Sequence, residues 1–231
     1  MAEVDDARVL LGGLAEVGDL GIEGGDRDPL PAGDRRVARR ETSQQGSAVD
    51  VRPVEEPGLG SRIDAMATNY ERAFEPRPAV YAAWQQLNGA IKAGMDLRRY
   101  ELATLAAARR LRSSYCCLAH GMVLAERFGE PVARIAADHR AADLDEVDIA
   151  VMDLAEQVAD DATSVGEADL QRLRDLGLSH EEIMDVILAA AARCFFSKTL
   201  DALGVRPDPG YRDLEPSLRQ ALVVGRPIAD G

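Results

Sequence analysis

The sequence predicts an all-α protein, and three observations carry that prediction. From about Ser61 onward, apolar residues recur at helical spacing in segments bounded by helix start and stop signals. No run sustains period-2 alternation, so no sheet is expected. Alanine is concentrated in ATLAAARR and ILAAAARC, where small residues fall on several faces of a helix. Helices of that kind pack with close axes and bury more than one side, and alanine is itself the strongest helix former. The expected architecture is a compact helical bundle.

Each element has its own signal. Residues 1–58 read as a poorly ordered arm, dispensable for stability. Gly, Asp, Glu, Arg and Pro dominate it, as in GIEGGDRDPLPAGDRRVARRETSQQGS, and it holds no aromatic residue. Such a stretch cannot bury enough apolar surface to offset its ordering entropy. Residues 59–231 are expected to form a single helical domain. A first helix near Arg62–Phe74 is ended by Pro76 and Pro78, and a second runs from about Ala79 to Ala93 with Gly94 as its stop. Asp96 caps a third, Leu97–Arg112; Ser113 or Ser114 caps a fourth that ends at Gly129. Pro131 opens a short fifth helix through Arg140, and two more cover Asp145–Asp161 and Glu167–Leu176. Ser179 and Glu182 form a capping box before a long apolar helix, His180–Leu203, ended by Gly204. From Pro207 the chain is rich in proline, with room for one short helix.

Composition excludes several partners. The chain has 231 residues, 46% of them hydrophobic, a formal net charge of −13 and a pI near 4.7. A surface that negative repels phosphate backbones and anionic lipid, so no nucleic-acid partner and no membrane partner is expected. No stretch approaches the roughly 18–20 apolar residues of a membrane span. The first residues, MAEVDDARVLLGGL, lack the basic start and sustained apolar run of a secretory signal, so a cytoplasmic protein is expected. Three cysteines, Cys116, Cys117 and Cys194, are too few and too odd in number for a disulfide scaffold. They are buried structural thiols, metal ligands or a reactive thiol.

Two segments carry residue types that do chemistry. In YELATLAAA, Glu101 shares a helical stripe with Leu97, Leu105 and Ala108, which leaves it either buried with partners or solvated on an exposed stripe. Cys116 and His120, four residues apart, share a face of the fourth helix, while Cys117 points about 100° away from Cys116. Cys116 falls in the first turn, where unpaired amides and the positive end of the helix dipole favour a thiolate. His120 is suited to take or return its proton. The third and fourth helices form a hairpin, so Glu101 and His120 are able to meet across it. An acid, an imidazole and a thiol in that order form an oriented base beside a nucleophile. The bland alternative is two core residues. A metal site from Cys116, Cys117, His120 and Glu101 has suitable ligand types, but two adjacent helical cysteines diverge, and no metal is expected. The segment DLQRLRDLGLSHEEIMDVI has the outline of a helix-turn-helix, yet its second helix offers acidic and apolar groups where DNA needs Arg or Lys.

The arrangement Glu101-x14-Cys116-x3-His120, in the local form YELATLAAARRLRSSYCCLAHG, resembles the core motif of the alkylhydroperoxidase D-like / carboxymuconolactone decarboxylase family. DLGLSHEEIMDVILAAAARCFFSKTLDALGV resembles that family's C-terminal helices, and the likeness covers roughly Ile63 to Val205. The resemblance implies a helical bundle of the alkylhydroperoxidase D-like type that forms homo-oligomers. It also implies hydroperoxide reduction with Cys116, His120 and Glu101 as catalytic residues and Tyr115, Ser113 and Cys117 in support. No bound cofactor is implied; an external thiol supplies the electrons. Redox members use a C-x2-C pair, and this chain departs from them by carrying Ser113 where the second cysteine stands. Tyr115 occupies a position where redox members carry His or Tyr. Cys117 is a poor resolving thiol, because a bridge between adjacent residues does not suit a helix. Cys194 resolves only if the last long helix packs against the fourth. The expected cycle is therefore a one-cysteine cycle through a sulfenic acid. The family offers a second expectation, an acid–base lyase on Glu101 and His120 with Arg109, Arg110 or Arg112 as the local cation, and a third, a non-catalytic helical oligomer.

Overall fold

The computed structural model describes residues 68–231. The expected arm, and the start of the expected first helix, lie outside the described residues. Within them the chain forms α1 (Asn69–Phe74), α2 (Pro78–Gly94), α3 (Leu97–Arg110), α4 (Ser114–Phe128) and α5 (Val132–Ala137). These are followed by α6 (Glu146–Asp161), α7 (Glu167–Asp175), α8 (His180–Ala202) and α9 (Pro216–Leu222). Short 3-10 turns occupy His139–Ala141, Ala162–Ser164 and Pro209–Asp213, and no strand occurs among the described residues. The all-α expectation holds.

Capping explains most of the boundaries. Asp96 accepts the Arg99 amide at 2.9 Å and starts α3, and Asp145 accepts the Asp148 amide at 2.7 Å and starts α6. Ser179 and Glu182 form the expected reciprocal box ahead of α8. Gly129 ends α4 at φ 66°, a left-handed conformation that favours glycine. Pro78 does more than end the preceding helix, because it occupies the first turn of α2.

Helix α3 is the axis of the bundle. A helix on a protein surface buries one stripe, but here every residue from Tyr100 to Ala108 is buried. α3 packs against α4, α6 and α8, and α6 packs against α8 in turn. Ala103, Ala106, Ala107 and Ala108 keep α3 thin enough for neighbours on all sides. Leu102 and Leu105 of α3 and Leu118, Met122 and Leu124 of α4 fill the space between. Side chains of that size each gain about 1.5–3 kcal/mol on full burial, so residues mounted on α3 and α4 sit on the best-anchored part of the fold.

Three expectations are corrected. α3 stops at Arg110, because the backbone turns at Arg112 with φ 57°. The expected fifth helix divides into α5 and a 3-10 turn, because Asp138 takes extended angles and caps a new turn. Neither Ser113 nor Ser114 caps α4 with its side chain. Ser113 stands at the cap position without a cap bond, and Ser114 Oγ instead accepts the Gly225 amide at 2.8 Å. The C-terminal segment thus closes over the α3–α4 hairpin. Leu222 packs onto Gly121, where a Cβ would lie 2.6 Å from it, and Gly225 passes so near the Arg112 carbonyl that a Cβ would lie 2.0 Å from the oxygen.

Candidate active site

Glu101 sits in the middle of α3 and is almost fully buried, so the buried one of its two sequence alternatives is the observed one. Its Oε2 lies 2.5 Å from His120 Nδ1 on α4, and its Oε1 lies 3.2 Å from Lys92 Nζ at the end of α2. A carboxylate only accepts, so Nδ1 carries the proton and donates it. That tautomer leaves His120 Nε2 as a bare lone pair, and this atom is buried with no hydrogen-bond partner among the described residues.

The charges of the pair follow from burial and neighbours. Burial strips water from an imidazolium, and the Arg193 charge adds to the effect, so the His120 pKa falls from 6.5 to about 4 against the opposing pull of Glu101. Burial also works to raise the Glu101 carboxyl. The imidazole and the Lys92 ammonium overcome it and hold the carboxyl below its usual range. Near neutral pH the pair is carboxylate and neutral imidazole. The hold on Glu101 then rests on the Nδ1–H bond and Lys92 rather than on a full imidazolium charge.

Cys116 lies in the first turn of α4, a free and buried thiol. Its sulfur is not bonded to His120. It receives Ser197 Oγ at 3.1 Å and Arg193 Nη1 at 3.6 Å, both from α8. Arg193 also donates through Nη2 to Tyr100 Oη at 3.4 Å, and Tyr100 donates to Asn88 Oδ1 at 2.7 Å. The Tyr100 ring stands edge-on to the His120 ring, 6.1 Å between centroids. Glu101, His120, Cys116, Tyr100, Arg193 and Ser197 therefore form one buried polar cluster drawn from α3, α4 and α8.

Arg193 is the unusual member. It is 1% exposed, its Nε has no partner, and no carboxylate lies at ion-pair distance from it among the described residues. Trp84 and Phe196 rings lie 5.8 and 5.6 Å from its guanidinium carbon. Such contacts contribute about 0.5–2 kcal/mol each. Removing a cation from water costs several kcal/mol, so the rings alone do not offset it.

The supporting residues are placed differently. Tyr115 is buried with its hydroxyl donating to Asp208, and its ring meets Tyr70 and Tyr211 edge-on at 5.5 and 6.0 Å. It ties α4 to the C-terminal segment. Cys117 is wholly buried, and burial pushes its thiol up, away from the thiolate. Ser113 is wholly buried three residues before Cys116, at the cap position. Cys194 is half-buried on α8 next to Arg193, with its thiol also pushed up by burial. α8 does pack at Cys116, but it presents Arg193 and Ser197, one turn apart. The arginines weighed from sequence are engaged elsewhere: Arg109 donates to the Ala221 carbonyl, Arg110 pairs with Asp160, and Arg112 donates to the Val224 carbonyl.

Helix order, the α3–α4 hairpin and the long α8 set against it allow comparison with known folds. No protein-family model matches the chain, and no curated protein matches it. Solved structures do. An uncharacterized peroxidase-related protein from Ralstonia eutropha JMP134, described as an alkylhydroperoxidase AhpD core, superposes with a TM-score of 0.60 at 23% identity, over 69% of this chain and 93% of that one. The fold is that of the alkylhydroperoxidase D core. An uncharacterized peroxidase-related protein from Silicibacter sp. TM1040 matches at a TM-score of 0.60 and 19% identity, over 64% of this chain and 81% of that one. A debrominase, as a cysteine-to-alanine variant in complex with 2,3,4-tribromopyrrole, matches at 0.55 and 13% identity, over 72% and 95%.

Within this alkylhydroperoxidase D fold the sequence reading missed Lys92, Tyr100, Arg193 and Ser197. Arg193 had a signal, as the lone charge in the apolar run ILAAAARCFF. A second group, His139, Asp153 and Glu156, brings ligand-type atoms close together. Arg140 and Arg172 already donate to Asp153, so little negative charge is left there for a cation. No described helix is long and apolar enough to cross a membrane.

Proposed function

We propose that the protein reduces hydroperoxides through Cys116, with the Glu101–His120 pair as its proton carrier and an external thiol as reductant. The observation that supports this most is the setting of the sulfur. It is a free, buried thiol with two donors on it, in the first turn of α4, on the helix that also carries a carboxylate-bonded imidazole with a bare nitrogen.

The step balances as follows. The thiol proton passes to His120 Nε2. The thiolate attacks the terminal oxygen of the hydroperoxide; an S–O bond forms as the O–O bond breaks. The sulfur gives up two electrons and becomes a sulfenic acid, and the leaving alkoxide takes the proton back from Nε2 and departs as an alcohol. One external thiol then displaces water to form a mixed disulfide, and a second releases Cys116 with an external disulfide. With serine at 113, no cysteine stands three residues before Cys116 to do this internally, and the adjacent Cys117 does not suit a bridge within a helix. The protein acts in the cytoplasm as a homo-oligomer in this reading, with no nucleic-acid or membrane partner and no bound cofactor.

A second reading uses Glu101 and His120 alone as an acid–base pair on an acidic substrate. The buried Arg193, rather than Arg109, Arg110 or Arg112, supports it as the cation such a substrate needs. The test is peroxide consumption with an added thiol. Cys116→Ser is expected to abolish it, while Cys117→Ser and Cys194→Ser keep most of it. Glu101→Gln and His120→Ala are expected to slow it and to shift its pH profile. Undiminished turnover in Cys116→Ser would overturn the thiol reading and leave the acid–base one.

A further inference from the structure

The buried cluster is one negative charge short. Arg193 and Lys92 bring two positive charges, Glu101 brings one negative, and His120 is held neutral by burial and by Arg193. Tyr100 is pushed up to about 12, chiefly by burial, and stays uncharged. Cys117, the remaining titratable group against the sulfur, is pushed up as well. Lys92 is already committed to Glu101, and among the described residues no carboxylate lies at ion-pair distance from the guanidinium of Arg193. The atom that Arg193 does reach is Cys116 Sγ, at 3.6 Å, and Ser197 Oγ, one helical turn further along α8, reaches the same atom at 3.1 Å.

We propose that Arg193 and Ser197 form a two-donor cradle that stabilises the Cys116 thiolate as the thiol gives up its proton, with Arg193 its counter-charge. The inference rests on the reading of Cys116 as the reacting thiol, and it adds a catalytic residue that lies outside the Glu101, Cys116 and His120 set. It also supplies what the helix start alone does weakly: a full positive charge, fixed in a dry site where its field is little screened. Arg193 is fixed in turn by Tyr100, which Asn88 holds, and by the Trp84 and Phe196 rings. A guanidinium suits the place because it serves the sulfur and Tyr100 with separate N–H groups.

The test reads thiolate directly on the full chain, by absorbance at 240 nm against pH, taken as the difference between each protein and the same protein carrying Cys116→Ser. This needs no substrate and no access to the buried sulfur. In Arg193→Met the difference step is expected to move to higher pH by roughly one unit or more, a loss of about tenfold or more in thiolate on the low-pH side of the step. Arg193→Lys, which keeps the charge and loses the fork, is expected to retain most of the wild-type step. Ser197→Ala is expected to shift it less than Arg193→Met does. Thermal melts establish that each variant is folded; if Arg193→Met is not, Arg193→Lys and Ser197→Ala decide. The proposal is overturned if folded Arg193→Met leaves the step in place, if Arg193→Lys shifts it as far as Arg193→Met, or if Ser197→Ala does not move it. A shifted step in a protein that consumes no peroxide upholds the cradle and counts against the peroxidase reading alone.

Discussion

His120 Nδ1 lies 2.5 Å from Glu101 Oε2, and both side chains are almost without solvent contact. The bond fixes the imidazole ring, sets its tautomer and leaves Nε2 as the only titrating atom of the pair that is free to move a proton. The carboxylate cannot drift away, because α3 is buried along its whole middle and Lys92 holds the second oxygen.

Stability is expected to fall on acidification because of this pair. The folded His120 pKa is lowered from 6.5 to about 4, so an unfolded chain takes up the proton first as pH drops. The contribution is therefore fully present above about pH 6.5 and is lost between 6.5 and 4; a shift of this size corresponds to roughly 3 kcal/mol. Glu101 is also depressed, and its contribution is lost at still lower pH, through its folded value. Urea unfolding of wild type and His120→Gln at several pH values checks this. The wild-type advantage should shrink across that window, and a pH-independent difference would show that His120 is not held neutral.

Ser113→Cys is expected to restore an internal resolving thiol. Residue 113 is at the cap of α4 and Cys116 is in its first turn, the C-x2-C spacing at which two side chains come close enough for an ordinary bridge. Replacing a hydroxyl by a thiol at this wholly buried position changes little else. After a peroxide titration, intact mass should show wild type gaining oxygen atoms or a mixed disulfide, and the variant losing two hydrogens. Oxygen gain in the variant would mean that position 113 does not face Cys116.

Gly225→Ala is expected to lift the C-terminal segment from the α3–α4 hairpin. Its Cβ would meet a backbone oxygen at 2.0 Å, which cannot give way as a side chain does, and the Gly225–Ser114 bond would be strained with it. A loss of about 1–3 kcal/mol follows from overpacking of this kind. Gly121→Ala meets only the flexible end of Leu222, at 2.6 Å, and should cost less. Melting temperatures decide the order. Equal midpoints for Gly225→Ala and wild type would show that the segment is not packed as described.

Much of this was legible in the sequence because it is local. Asp96, Asp145 and the Ser179–Glu182 box act within one turn, so the starts of α3, α6 and α8 fall where their residues place them. The Glu101–His120 pair was also readable, since one hairpin brings the two together; Cys116 Sγ, expected beside His120, meets Arg193 and Ser197 instead. The cradle residues were not readable. Arg193 and Ser197 are more than 75 residues from Cys116 along the chain, and their approach is set by how α8 packs on α3, which no local signal encodes. Ser114 misled for a related reason: a serine before a helix suggests a cap, and a distant glycine amide claimed its hydroxyl.

The most direct measurement is site mapping of sulfenic acid. The full chain would be treated with one equivalent of hydroperoxide in the presence of dimedone, digested, and read by mass spectrometry at Cys116, Cys117 and Cys194. Dimedone is expected on Cys116 alone, and Arg193→Met should reduce that labelling while leaving the other two sites unlabelled. Labelling at Cys117 or Cys194 in place of Cys116, or none at any site while peroxide is consumed, would contradict the assignment of Cys116 as the reacting thiol.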